Sequence, residues 1–426
     1  MSKLIKTYHI ITIGCQMNKA DSERIASYLD GLGLKEVKDR KEADLVILTT
    51  CGVRQSAEDR VYGLIPKIKR ENQKTKIILT GCLAKRKDVQ KKLSKKVDIW
   101  LPITELTNLN EKLNKKSSKF SGSLSYLEIP AKYRSSFSAF VPIGNGCNNF
   151  CTYCVVPYAR GRETYRPTGK IIAEVKKLVK NNYKEITLIA QNVNSYQYRK
   201  ISFPTLLSRV AEIKGDFWIR FATSHPKDMS DKLIKVIADN PKICRHIHLP
   251  AQSGDDKILT AMNRNYTQKH YLSLIEKIRK SIPGASITTD IIVGFPGETR
   301  SQFNNTIKLF KLVKFDMAYI ARYSPRPGTM ASQLEDNVSP KEKKKREQEL
   351  MKILRKTALA NNKKYLGKTV KVLVEDKNKK NEWFGKTDTY KTVKFKAPNK
   401  QNLRGQFVFV KITNVQDFGL AGEIYS

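Results

Sequence analysis

The chain has 426 residues, with 80 Lys and Arg against 40 Asp and Glu, so its formal net charge at pH 7 is +40. No apolar run reaches the roughly 18 residues that a membrane-spanning helix needs, and the stretch Ile10–Gly14 is too short for a signal peptide. We therefore expect a soluble, cytoplasmic protein without a membrane partner. The charge predicts a polyanionic partner such as nucleic acid, although a host that enriches lysine in all its proteins would also raise it.

Apolar runs alternate with helical segments over about the first hundred residues. The runs are His9–Ile13, Leu45–Thr49, Lys76–Thr80 and Asp98–Ile103. This alternation predicts a parallel sheet covered by helices. Cys15, Cys51 and Cys82 stand where three of these strands stop, so we expect them at one edge of the sheet, where open α/β sheets bind ligands. The alternative is three buried strand-end cysteines that bind nothing.

A second alternation of strands and helices follows a polar segment. That segment predicts a linker over 116–136 with one short strand near Tyr126–Ile129. The later strand candidates are Phe140–Ile143, Glu185–Ala190, Trp218–Thr223, His246–Leu249, Ile287–Val293 and Met317–Tyr323. Six such strands predict a parallel (β/α)6 partial barrel, an open relative of the eight-stranded barrel, with its active site at the carboxyl ends of the strands.

The pattern changes again in the last part of the chain. Ser339–Tyr365 predicts a lysine-rich helix. Short alternating strands after Gly367 predict a small β-barrel that either binds oligonucleotides or serves as a structural cap. The four strand candidates are Val370–Val374, Thr392–Lys396, Gln406–Ile412 and Leu420–Tyr425. The predicted class is therefore α/β. Its parts are a parallel-sheet domain (1–115), a linker (116–136), a partial barrel (137–338), a helical connector (339–366) and a C-terminal β-barrel (367–426).

The run from Cys147 through Cys151 to Cys154 has the spacing C-x-x-x-C-x-x-C and lies just after the first barrel strand. A structural zinc site is closed by four ligands, and an iron–sulfur cube held by four cysteines is also closed. Three thiolates leave one iron of a cube open to a small molecule. The alternatives are half of a zinc site or cysteines buried as small apolar residues.

The seventh cysteine and two of the histidines give weaker indications of function than the two three-cysteine groups. Cys244 stands alone beside a strand, which favours a buried core residue. His246 and His248 alternate along one strand and so share a face. We expect them to be hydrogen bonded inside the barrel, with a metal pair as the alternative.

Sequence motifs in all three predicted domains carry a resemblance to a known family. They are Gly14–Asn18, Asp21–Arg24, Thr50-Cys51, Gly81-Cys82, Gly146–Cys154, Pro157–Glu163, Gln191–Tyr196, Ser224–Lys227, His248–Gly254, Met262–Arg264, Asp290–Glu298 and Tyr323–Thr329. With these motifs the chain resembles the radical S-adenosylmethionine (SAM) methylthiotransferase family from about residue 7 to its end. The family order is a cluster domain, a radical SAM barrel and a TRAM barrel.

The resemblance implies two [4Fe-4S] clusters as cofactors, together with SAM. One cluster would be held by Cys15, Cys51 and Cys82, and the other by the catalytic group Cys147, Cys151 and Cys154, with SAM on the open iron of the second. Tyr153 resembles the family's aromatic residue near SAM. Further SAM contacts are predicted from their places after barrel strands: Gln191, Asn192, Gln252, Asp290 and Arg322.

The implied reaction is the insertion of a methylthio group at carbon 2 of N(6)-dimethylallyladenosine next to the anticodon of tRNA, with two SAM molecules. A side-chain base cannot remove a hydrogen from this strong, non-acidic C–H bond at a useful rate, whereas a carbon radical can. The partners implied are tRNA, an electron donor such as flavodoxin or ferredoxin, and a sulfur or iron–sulfur carrier. We expect a monomer.

Three other functions stay open. One sibling in the family modifies threonylcarbamoyladenosine in tRNA, and another modifies an aspartate of a ribosomal protein, a substrate that would not need the charge of +40. From a different class, the chain could be a non-enzymatic iron–sulfur regulator that binds RNA. SAM binding separates the last case from the others, because a pure regulator has no need of SAM.

Overall fold

A five-stranded parallel sheet forms the first domain of the computed structural model, which describes residues 5–53, 55–116, 120, 125–397 and 402–425. The strand order is β2-β1-β3-β4-β5. The strands are β1 (Thr7–Thr12), β2 (Lys35–Glu36), β3 (Leu45–Thr50), β4 (Lys76–Gly81) and β5 (Ile99–Leu101), and the helices are α1 (Gln16–Gly31), α2 (Gln55–Glu71), α3 (Lys87–Leu93) and α4 (Leu109–Lys112). Strand β3 is buried along its whole length, as expected of a central parallel strand covered on both faces.

The strand predicted near Tyr126–Ile129 is wrong. Tyr126–Glu128 is a short 3-10 helix whose first turn is capped by the Ser125 hydroxyl. Its apolar side chains are buried in the core of the first domain, and the following Pro130 cannot donate to a sheet. Residues 117–119 and 121–124 of the predicted linker lie outside the described residues.

Six parallel strands form the second domain and confirm the predicted partial barrel. They are β6 (Ser138–Pro142), β9 (Glu185–Ile189), β12 (Trp218–Ala222), β13 (His246–His248), β14 (Ser286–Val293) and β15 (Met317–Arg322). They form two three-stranded sheets, joined by a parallel bridge between Ile219 and Ile243. Two short antiparallel strand pairs, absent from the prediction, are β7 (Gly144–Asn145) with β8 (Thr164–Tyr165) and β10 (Gln197–Tyr198) with β11 (Ile201–Ser202).

Helices alternate with these strands and bury one large apolar core against them. They are α5 (Val156–Arg160), α6 (Thr168–Lys180), α7 (Phe203–Ala211), α8 (Asp231–Asp239), α9 (Asp256–Ala261), α10 (Gln268–Ser281) and α11 (Arg300–Val313). Connections from strand to helix lie at the carboxyl ends of the strands, where the cysteine motif is found. Among the described residues, no helix is long and apolar enough to cross a membrane.

A long helix leads to a closed β-barrel at the end of the chain. After α12 (Pro340–Lys363), the barrel strands are β16 (Thr369–Lys377), β17 (Trp383–Thr387), β18 (Thr392–Lys396), β19 (Phe407–Gln416) and β20 (Gly419–Ile424). Their order around the barrel is β16-β17-β18-β20-β19. The sequence pattern predicted four of these strands and missed β17. Residues 398–401 and 426 lie outside the described residues.

The C-terminal barrel packs against the central barrel near the amino ends of several of its strands. Arg220 in β12 donates to the carbonyl oxygens of Thr387 and Asp388 at 2.8 and 3.2 Å, and Lys391 pairs with Asp316 at 2.6 Å. These contacts lie at the end of the central barrel opposite the cysteine motif. The end that carries the cysteines is therefore left to the first domain.

Candidate functional site

The loop that carries Cys147, Cys151 and Cys154 is held in place by the segment after α9. The Thr152 amide donates to the Met262 carbonyl at 3.1 Å, and the Asn263 side chain donates to the carbonyls of Asn149 and Phe150, both at 3.0 Å. Phe150 has a positive φ of 46°, a conformation that a non-glycine residue keeps only when its surroundings impose it. The loop is therefore fixed by protein contacts.

The other three cysteines lie at the carboxyl ends of neighbouring strands, as predicted. Cys15 follows β1, Cys51 follows β3 and Cys82 follows β4. At Gly81 an added Cβ would overlap the backbone carbonyl of Thr50, and φ there is +85°. Only glycine meets both requirements, so the turn into Cys82 depends on it.

The two cysteine groups adjoin one another. Gly52 follows Cys51, and a Cβ added there would lie 3.2 Å from Val155 and 3.3 Å from the Cβ of Cys82. Burial, followed by the neighbouring Cys151, raises the pKa of the Cys154 thiol, and Cys82 adds to the shift from across the domain boundary. The thiols of the first domain therefore face the cysteine loop of the barrel.

Arg160 links the two domains beside the cysteines. Its guanidinium pairs with Asp21 at 2.7 Å and donates to Asn18 at 3.1 Å, both in α1, and to Asn145 in β7 at 3.0 Å. Burial opposes its charge, but Asp21 and then the Cys82 thiol raise the pKa of Arg160 well above its ordinary value. Arg160 therefore stays charged and fixes α1 against the barrel.

Arg326 makes a second link on the other side of the cysteines. It donates to the Gln55 side chain at 2.6 Å and to the Val53 carbonyl at 3.1 Å, just after Cys51. Burial lowers the pKa of Arg326, against the opposing charge of Glu58, whose carboxylate is 3.6 Å away. The two arginines hold the first domain at both ends of its cysteine edge.

Each cysteine group offers three thiols to a cluster. Within the described part of the chain, no three His, Cys, Asp or Glu side chains converge closely enough to hold one metal ion. A cube binds each thiolate to a different iron, so its ligands do not have to meet at a single ion. All six cysteines are free thiols, and three ligands leave one corner of a cube open. The residues present fit an iron–sulfur cube at each group.

The predicted SAM contacts after β9 include buried polar atoms that lack partners. Gln191 Oε1, Asn192 Oδ1 and Ser224 Oγ are buried without a hydrogen-bond partner in the described structure. Each such atom costs about 1–3 kcal/mol. Since these atoms lie at the carboxyl ends of β9 and β12, a polar ligand beside the cysteine loop would satisfy them, and SAM carries suitable groups.

Two other predicted contacts lie on the same side of the barrel, and a third does not. The backbone of Gln252 bonds to Asp290 at 2.9 Å, and the Asp290 carboxylate is 3.4 Å from His248. Arg322 turns away to pair with Glu347 of α12 at 3.2 Å, with half of its side chain exposed. A SAM contact for Arg322 stays a prediction that its position does not favour.

Tyr153, the two histidines and the lone cysteine are the remaining residues that the sequence singled out. Tyr153 packs against the apolar cluster around Met262 and Tyr323, and its contact with SAM stays a prediction. His246 and His248 share the Thr288 hydroxyl inside the barrel, at 2.9 and 3.0 Å, so the expected hydrogen-bonded role is confirmed. The lone cysteine is buried beside Trp218, which confirms the expected core role of Cys244.

Arg264 is a residue at the site that the sequence interpretation left without a role. Its guanidinium donates to Cys151 Sγ at 3.6 Å and is buried. The motif Met262–Arg264 was part of the family resemblance, but no spacing rule connects it with a cysteine about 110 residues earlier. Only the three-dimensional structure brings the two together.

Comparisons with known proteins agree with this architecture. Three family models match: the Radical SAM superfamily over 141–310, Uncharacterized protein family UPF0004 over 7–102 and the TRAM domain over 363–425. Among solved structures, the radical S-adenosylmethionine methyltransferase TsrM from Kitasatospora setae has a similar fold, with a TM-score of 0.57, 12% identity and 77% of each chain covered.

Two curated relatives match over nearly the full chain. Both are called tRNA-2-methylthio-N(6)-dimethylallyladenosine synthase and both are 44% identical to this protein. The one from Clostridium tetani matches over 98% of this chain and 96% of its own. The one from Caldicellulosiruptor saccharolyticus matches over 98% and 92%.

A partial barrel with a three-cysteine loop at the carboxyl ends of its strands defines a radical SAM protein. The identity over nearly the whole chain then settles the family: the chain belongs to the MiaB family of radical SAM methylthiotransferases, which are enzymes that transfer a sulfur-containing group.

Proposed function

We propose that this protein inserts a methylthio group at carbon 2 of N(6)-dimethylallyladenosine next to the anticodon of tRNA. The observation that carries the proposal is the close approach of its two three-cysteine groups across the domain boundary, where Gly52 lies beside Val155 and Cys82 acts on Cys154. A reaction that takes a hydrogen from a carbon and then delivers sulfur to the same carbon needs both centres within reach of one base. The name of the two curated relatives, tRNA-2-methylthio-N(6)-dimethylallyladenosine synthase, supports the choice of substrate.

In this proposal Cys147, Cys151 and Cys154 hold one [4Fe-4S] cluster, and Cys15, Cys51 and Cys82 hold the other. The first cluster, when reduced, would supply the electron for cleavage of one SAM, and the second would carry the sulfur that a further SAM methylates. Gln191 and Asn192, with their unpartnered oxygens, would bind polar groups of SAM. An electron donor such as flavodoxin or ferredoxin and a sulfur carrier would complete the system.

The protein's own part is to bind, orient and exclude water. Arg160 and Arg326 hold the sulfur-carrying domain against the barrel, so that the two centres keep one separation. The C-terminal barrel, with exposed lysines and aromatic side chains on its outer surface, would bind the tRNA backbone.

The direct test is the reaction with purified components under anaerobic conditions. Reduced protein, SAM, a sulfur source and tRNA that carries dimethylallyladenosine should give the 2-methylthio nucleoside, together with 5′-deoxyadenosine and S-adenosylhomocysteine. Cys147→Ala should abolish 5′-deoxyadenosine formation. Cys51→Ala should still cleave SAM but give no methylthio product, because the sulfur-carrying centre is lost.

The same assay separates the alternatives. Activity only on tRNA with threonylcarbamoyladenosine would assign the sibling function, and a protein that binds tRNA but not SAM would be a regulator. Full product from Cys51→Ala protein at the parent rate would show that the first domain does not carry the sulfur.

A further inference from the structure

We propose that Arg264 is a positioning residue for the barrel cluster: its buried guanidinium compensates the negative charge of that cluster through Cys151 and so makes the cluster easier to reduce. The inference rests on the proposed function, because it assigns Arg264 a role toward a cluster on Cys147, Cys151 and Cys154.

The first observation is the set of partners that the guanidinium has. It donates to Cys151 Sγ at 3.6 Å, to the Pro250 carbonyl at 2.9 Å and to the Tyr266 hydroxyl at 2.9 Å. No carboxylate lies within ion-pairing distance of it among the described residues. A buried charge without a counter-charge is costly, so the site needs an anion, and the Cys151 sulfur is the anionic ligand that Arg264 touches.

The surroundings of Arg264 offer little else to neutralise it. His225, whose ring packs near Tyr266, has its pKa lowered to about 2, first by burial and then by the Arg264 charge, and so stays neutral. The Asp228 carboxylate is farther away and accepts from Asn192 at 2.7 Å. The positive charge is therefore available to the cysteine loop.

The arginines beside the other cysteine group differ in this respect. Arg160 is paired with Asp21 at 2.7 Å. Arg326 lies 3.6 Å from Glu58, a carboxylate that also pairs with Arg86 at 2.6 Å. Each of these two arginines has a carboxylate near it, whereas Arg264 has none within ion-pairing distance among the described residues.

A positive charge that donates to a ligand sulfur stabilises the reduced state of an iron–sulfur cluster, which is one electron more negative than the oxidised state. Hydrogen bonds to the sulfurs and local charge are established determinants of cluster potential. We expect the fork geometry of the guanidinium to matter as well, because a lysine cannot bond the sulfur, the carbonyl and the hydroxyl in the same fixed arrangement.

The test measures the potential of the barrel cluster without turnover. Protein with Cys15, Cys51 and Cys82 replaced by Ala retains only that cluster, and its reduction is followed by electron paramagnetic resonance during a redox titration. Arg264→Met should lower the equilibrium constant for reduction at least tenfold, which is about 59 mV for a one-electron couple. Arg264→Lys, which retains the charge, should change it less.

A matched control lies beside the cysteine loop. Arg162 stacks on Phe150 with its guanidinium 4.4 Å from the ring centre and is exposed, so solvent screens its charge. Arg162→Met should leave the equilibrium constant within about a factor of two of the parent.

The outcomes decide the proposal. It is overturned if fully iron-loaded Arg264→Met protein has the potential of the parent, or if the Lys and Met variants shift equally. If Arg264→Met folds but does not retain iron, the Arg264→Lys protein carries the comparison. The redox titration needs neither tRNA nor sulfur transfer. Its result can therefore be interpreted even if the proposed reaction is not observed.

Discussion

Gly146, directly before the cysteine loop, is a residue whose backbone cannot accept a side chain. Its φ is +84°, and an added Cβ would overlap the backbone carbonyls of Arg162 and Gly161. Gly146→Ala should therefore displace the loop that carries Cys147. With the two clusters proposed above, iron after anaerobic reconstitution should fall from about eight atoms per chain to about four, because one of the two cubes would be lost.

Gly284 gives the matched control for this substitution. Its φ is +79°, but nothing lies within 4 Å of an added Cβ, and it precedes β14 at the opposite end of the barrel. Gly284→Ala should cost about 1–2 kcal/mol in stability for the left-handed backbone and leave the iron content unchanged. Equal iron in the two variants would contradict the role of Gly146.

At this scale the sequence predicts candidate ligands but not the residues that support them. Cys147 and Cys151 are predicted because a spacing motif is a local pattern. Arg264 and Asn263 support the same loop from more than 100 residues away, and no periodicity or spacing connects them with it. Such residues become visible only when the fold brings distant segments into contact.

The C-terminal barrel is joined to the central barrel by a buried ion pair. Lys391 and Asp316 form an ion pair between the barrels at 2.6 Å, with side chains only 9% and 12% exposed. Lys391→Met should leave the Asp316 carboxylate buried without its partner and lower the free energy of unfolding by about 3–5 kcal/mol, as measured by chemical denaturation.

A second lysine of the same interface tests this reasoning. Lys371 pairs with Asp216 at 3.0 Å, but its side chain is 34% exposed and that of the aspartate is 65% exposed. Lys371→Met should cost about 1 kcal/mol or less. Similar losses from both variants would show that burial does not govern the strength of this interface.

Strand prediction succeeded where apolar segments alternate with helical ones along the chain. The six central strands were found from this alternation, which is typical of a parallel sheet covered by helices. β17 was missed because Trp383–Thr387 has a glycine and a lysine within five residues, and its place is fixed by pairing with β16 and β18. The C-terminal barrel can serve both as a structural cap and as a binding module. One part of it packs against the central barrel, while its outer strands stay exposed to solvent.

For the molecule as a whole, the charge of +40 predicts binding of tRNA that weakens steeply with salt. Lys394 and Lys396 are exposed on β18 of the C-terminal barrel. Replacing both by Ala should reduce the slope of log affinity against log salt by about one to two units, because each lost phosphate contact contributes about 0.7–0.9. Fluorescence anisotropy with labelled tRNA measures this slope.

The control for this double variant uses two lysines that contribute to the total charge but lie outside the C-terminal barrel. Lys232 and Lys235 are exposed on α8, on the outside of the central barrel. Their double Ala variant has the same net charge as the β18 variant and should keep the parent slope. If both double variants change the slope equally, total charge and not the C-terminal surface determines tRNA binding.

The arginine links between the first two domains have a consequence for recombination between relatives. Arg24 of α1 pairs with Glu174 of α6, Arg160 of α5 pairs with Asp21 of α1, and Arg326 bonds the start of α2. Each link has one member in each segment of the chain, and the donors come from both sides. A chimera that joins the first domain of one relative to the barrel of another would inherit half of each link, so these segments are expected to be exchanged between genes only as a unit.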